Sequence, residues 1–84
     1  MNKQEVIAKL NSLPFCDVLA VWRFAASGHP IFFDSDVAYC MSQRIRDARE
    51  DGTFPSTSKE LGWDLSPDVR SRIAWIDEVE VEQP

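Results

Sequence analysis

Covalent chemistry in this chain would have to start from Cys16, His29 and Cys40. A thiol acts as a nucleophile when a base lies within hydrogen-bond reach and a third group orients that base. His29 is the sole histidine, and neither cysteine stands in the local signature of a known cysteine enzyme. The same three residues lack the close-paired spacing of structural zinc sites, and no fourth ligand suggests itself. Gly28, Gly52 and Gly62 are isolated, so there is no glycine-rich phosphate loop. The expectation is a protein that is not an enzyme and has no metal or cofactor. His29 reads as a helix-terminal residue whose charged form favours the dipole. Cys16 and Cys40 read as small hydrophobes among apolar neighbours, too few for a disulfide framework and expected to be reduced.

A second kind of chemistry is recognition of nucleic acid. Residues 57–73, TSKELGWDLSPDVRSRI, resemble a helix-turn-helix: a short helix, a glycine turn, a Ser-Pro cap and a second helix. That resemblance implies DNA contacts from Lys59, Arg70 and Arg72. The turn is longer than the usual stretch of roughly three to four residues. A DNA reader also shows a basic stripe, yet Asp64, Asp68, Asp77 and Glu78 surround these cations.

Charge offers a third possibility. The chain has 84 residues and a net charge of −5. Residues 1–33 carry +1, residues 34–52 carry −2 and residues 53–84 carry −4. The acidity is concentrated in the second half, where it repels phosphate and attracts basic partners. The leading expectation is therefore a non-enzymatic protein-binding module, a small acidic inhibitor or adaptor of phage or mobile-element type. It would occupy a basic, nucleic-acid-binding surface of a host protein complex. Its expected contacts are Asp64, Asp68, Asp77, Glu78 and Glu80, with Trp63 and Trp75 as aromatic anchors. The alternative is a small helix-turn-helix regulator using the helix from Pro67, the only reading in which nucleic acid is a partner. The chain is expected to be a monomer or homodimer in the cytoplasm. MNKQEVIAKLNSL carries charges inside its first apolar run, unlike a secretory signal, and no apolar stretch reaches the length of a membrane span.

These residues need elements to position them. The length fits one domain, expected over residues 1–78, with an acidic tail at 79–84. Asn2 to Ser12 reads as an amphipathic helix with Val6, Ile7, Leu10 and Leu13 on one face and an Asn2–Glu5 capping box. Residues 15–26 are apolar nearly all round, carrying only Asp17 and Arg23 as charges, which predicts a helix buried on every side. Gly28 and Pro30 would end it. A rival reading makes 18–33 a hairpin, because β-branched and aromatic residues flank Ser27–Pro30.

His29 to Phe33 reads as an extended connector. Asp34 to Asp36 should cap a helix that buries Val37, Cys40, Met41, Ile45 and Ala48 and stops at Gly52. Thr53-Phe54-Pro55 reads as a linker, and 58–61 as one helical turn with Thr57 and Glu60 at capping-box spacing. Gly62 then serves as a left-handed cap, over which Trp63 folds back. Ser66-Pro67-Asp68 starts the last helix, burying Val69, Ile73 and Ile76. The predicted fold is all-α, a single-domain bundle of four helices plus one short helical turn. The alternative is α+β.

Overall fold

Helix-start and helix-stop chemistry partitions the described residues into five α-helices. The computed structural model describes residues 1–79. Helix α1 spans Lys3–Ser12, and Asn2 Oδ1 accepts the Glu5 N–H at 2.9 Å. Helix α2 spans Phe15–Phe24 behind Pro14. A 3₁₀ turn at Pro30–Phe32 leads into α3, Ser35–Asp51, whose cap Asp34 accepts from the Asp36 and Val37 amides. Gly52 closes α3 in the left-handed region, at φ 84° and ψ 4°. Helix α4 spans Phe54–Leu61 and α5 spans Pro67–Ile73, with Ser66 Oγ accepting from Val69 N–H. The chain then tightens into a 3₁₀ helix over Ala74–Glu78. The described residues contain no strand, so the chain is all-α and the 18–33 hairpin is excluded.

Val18, Leu19, Ala20 and Val21 are all buried, four consecutive residues pointing around α2, but Trp22 beside them is exposed, so the helix is not buried on every side along its length. Helices α3, α4 and α5 pack around it. Helix α3 touches a wider set: α1, α2, α4 and the 3₁₀ turn at Pro30–Phe32. Length explains the difference. At 17 residues α3 is about 25 Å long, and at 10 residues α2 is about 15 Å, too short to reach every element. The core therefore has two hubs rather than one. The predicted buried face of α3, Val37, Cys40, Met41, Ile45 and Ala48, is the buried face observed. No polar or charged residue is buried among the described residues.

The structure corrects several local readings. Thr53-Phe54-Pro55 is not a linker: Pro55 sits in the first turn of α4, where its missing N–H costs nothing. The element at 58–61 is thus the second half of a two-turn helix, and the described residues form five α-helices. Thr57 caps nothing. Helix α2 ends at Phe24 instead of Ala26, with Ala25 extended at ψ 137°. The helix preference of two alanines is worth a few tenths of a kcal/mol and yields to packing of the next segment. That segment, at Pro30–Phe32, is a 3₁₀ turn burying Ile31, not an extended connector.

His29 does not sit at the end of α2, which stops at Phe24, but caps the start of the 3₁₀ turn. Its Nδ1 accepts the Ile31 N–H at 3.0 Å. Val79, placed with the tail in the sequence reading, is buried in the core. The remaining tail, residues 80–84, lies outside the described residues, and with it Glu80.

Candidate functional site

The residues first considered for covalent chemistry are held apart by separate partners. Cys16 Sγ receives a long contact from Arg72 Nη2 at 3.8 Å, and Cys40 Sγ donates to Asn11 Oδ1 at 3.3 Å. Both thiols are free, and burial pushes the Cys40 thiol up, against the opposing pull of Arg44. Among the described residues there is no cluster of His, Cys, Asp or Glu able to hold a metal ion.

Hollows lie beside Cys16 and Cys40 as well, but those around Trp63 bring aromatic rings and cations together. Glycine 62 adopts φ 69° and ψ −168°, a combination open essentially to glycine alone. This is not the left-handed helical cap predicted, whose ψ stays near the helical range. The chain leaves α4 extended, and Trp63 is carried outward, 80% exposed, instead of folding back. The indole is not loose. Arg23, in the last turn of α2, lays its guanidinium over the ring at 4.1 Å. The same guanidinium donates from Nη1 to the carbonyls of Ser58 and Gly62, at 3.1 and 2.7 Å, and from Nη2 to Ser58 Oγ at 2.6 Å. The Ser58 carbonyl also accepts the Gly62 N–H, and both carbonyls lie at the end of α4, where the helix dipole favours positive charge.

Between Trp63 and the body of the protein lies a cleft of about 310 Å³. Trp22 and Arg23 of α2, Ile45 and Arg49 of α3, and Phe54 of α4 form its walls, with Leu19 behind. Arg49 stands over the Phe54 ring at 4.8 Å, and Trp22 meets Phe32 edge-on at 6.2 Å. Trp22 is itself 43% exposed. On the other side of Trp63 a shallower hollow of about 440 Å³ is lined by Pro55, Ser58 and Lys59. Arg23, Arg49 and Lys59 have no carboxylate within 4.0 Å among the described residues. Aromatic rings and unpaired cations thus meet here, on a chain that is acidic overall.

The expected contact residues divide into separate groups. Trp63 sits beside the last turn of α2, and Asp64 follows it in the chain. Trp75 packs on the core under Lys9 of α1, half-buried, and its Nε1 is buried with no partner among the described residues. Glu78 lies on the same side, its carbonyl receiving the Met1 amino group at 2.8 Å. Asp68 is engaged: Arg72 bridges it at 2.7 Å and reaches Asp17 at 3.0 Å. Asp64, Asp77 and Glu78 are exposed and have no cation within 4.0 Å among the described residues.

The residues named for DNA contact are likewise dispersed. Lys59 belongs to the Trp63 hollow and Arg72 to the Asp17–Asp68 pair. Arg70 is exposed, about 200° around α5 from Arg72. Helices α4 and α5 each pack on α2.

Sequence reasoning named Trp63 but missed Trp22, Arg23, Arg49 and Phe54 as its neighbours. Arg23 did carry a signal: it is one of two charges in an otherwise apolar helix, so it needed a partner. Comparison with family models, with curated proteins and with solved structures returned no match for this chain.

Proposed function

We propose that this protein is a non-enzymatic protein-binding module, a small inhibitor or adaptor that acts by occupying a partner's surface, with Trp63 as its anchor. The observation that carries this reading is a tryptophan 80% exposed yet held by a stacked, triply hydrogen-bonded arginine. An exposed aromatic in a fixed pose loses little freedom on binding, which is the character of an interface hot spot. The carboxylates of Asp64, Asp77 and Glu78 give the chain a negative outer field that speeds encounter with a basic protein. Asp68 shares Arg72 with Asp17, so that group adds one net negative charge to the field.

The test is affinity for a partner recovered from lysate on the full chain and identified by mass spectrometry. Trp63→Ala is expected to weaken binding by about 2 kcal/mol or more, with the helical circular-dichroism signal retained. Charge reversal at Asp64, Asp77 and Glu78 should slow association and flatten its salt dependence. Unchanged affinity in Trp63→Ala would reject the anchor. Salt-sensitive duplex binding that is lost in Arg70→Ala and Arg72→Ala would replace this reading with that of a DNA-binding regulator.

A further inference from the structure

The structure assigns an occupant to the Trp63 cleft: a short acidic segment of the partner protein that carries an apolar side chain between its carboxylates. This rests on the reading of Trp63 as the docking anchor and names the chemistry it meets. The first argument is charge. Three of the six cations away from the cleft bridge carboxylates, and Arg44 is committed to backbone carbonyls. Lys3 bridges Asp34 and Asp36, Arg46 bridges Glu50, and Arg72 bridges Asp17 and Asp68. Around Trp63, Arg23, Arg49 and Lys59 have no carboxylate within 4.0 Å among the described residues. Clustered like charges repel, and a ligand carboxylate relieves that repulsion with charge-assisted hydrogen bonds.

The second argument is pre-organisation. A guanidinium has five N–H donors. Three of the Arg23 donors are committed to Ser58 and Gly62, and its Nε–H and one Nη2–H have no partner among the described residues. These donors are held in place before any ligand arrives, as is the Arg49 guanidinium over Phe54. The third argument is shape. A cleft of about 310 Å³ walled by Trp22, Phe54 and Trp63 admits one or two side chains, not a stacked run of bases. The net charge of −5 further opposes a phosphate polymer, whereas a short acidic peptide brings few charges.

The experiment pans a displayed library of random short peptides against the full chain, then measures synthetic versions of the enriched peptides by Trp fluorescence. Enriched peptides are expected to hold Asp or Glu flanking an apolar or aromatic residue. Their affinity should fall about tenfold or more in the Arg49→Glu, Lys59→Glu double variant and drop in high salt. The charge-matched Lys9→Glu, Arg70→Glu variant, whose residues do not line the cleft, should lose far less. Arg49 and Lys59 are exposed, so the fold is expected to survive, and circular dichroism checks that it does. Neutral or basic enriched peptides, acidic peptides that bind the double variant equally well, or no enrichment at all would overturn the assignment. So would an oligothymidylate that quenches Trp63 more tightly than any peptide, or dimerisation in sedimentation that the double variant abolishes. If peptides fail while Trp63→Ala still abolishes partner binding, the anchor stands and the acidic segment falls. If peptides bind while the partner ignores Trp63→Ala, the partner docks elsewhere.

Discussion

Arg23 and Arg44 do the same physical job at two helix ends. Arg44, on α3, donates from Nη1 to the Leu10 carbonyl at 2.6 Å and from Nη2 to the Leu13 carbonyl at 2.8 Å. Arg23 does this for α4. Each brings a positive charge to the negative end of a helix, and each is partly buried, so water competes poorly for these bonds. Hydrogen bonds to charged groups contribute about 1.5–3 kcal/mol. Arg44→Ala is expected to lower unfolding free energy by about that amount, read as a lower urea midpoint at unchanged slope. Arg44→Lys should restore little of it, because an ammonium cannot span two carbonyls as a planar fork does. Nothing in the sequence marks these roles. Arginine 44 lies 34 positions from Leu10, and such pairings exist only once the helices have packed.

At the scale of elements, start signals were legible and boundaries less so. Asn2, Asp34 and Ser66 all cap as their types predict, because an N-cap needs only its own side chain and the next few amides. Ser66→Ala is expected to cost about 1 kcal/mol of stability in a denaturant titration. Helix α4 was misread because its start signal, Pro55, also serves in linkers, and local sequence does not choose between the two uses. Gly62 shows the same ambiguity. A glycine after a helix is compatible with a left-handed cap or with the extended, positive-φ bend observed here. No atom lies within 4 Å of where a Cβ would stand at Gly62, so Gly62→Ala meets backbone strain alone. That substitution is expected to cost about 1–3 kcal/mol. It should also move Trp63 off Arg23, seen as a shift in its emission and a weakened response to ligand.

For the whole molecule, paired charges set the pH range of stability. Burial pushes the Asp34 carboxyl up, but the Asp36 and Val37 amides and the Lys3 ammonium outweigh it and hold it below its ordinary value. Asp51 is lowered by the Thr53 hydroxyl and then by its backbone amide. Groups lowered on folding stabilise the native state above their unfolded pKa, and that stability is lost as pH falls through the folded values. Lys3 is raised, chiefly by its bond to Asp36, so its contribution is full below the ordinary lysine value and lost as pH rises through the folded one. Thermal midpoints are therefore expected to stay level near neutrality and fall at both extremes. Asp34→Ala should blunt the acid limb and, by removing the Lys3 partner, part of the alkaline one.

Helix identity, the buried faces of α3 and α5, and the all-α class follow from apolar spacing, caps and glycines, interactions that span a few residues and so are written in order along the chain. The cleft is of another kind. Trp22, Arg49, Phe54 and Trp63 come from four separate stretches, and their company depends on how α2, α3 and α4 lie against one another. An exposed tryptophan beside unpaired arginines breaks both the apolar pattern and the charge pattern of an acidic chain. Such a site arises from packing across long separations, which no local spacing records.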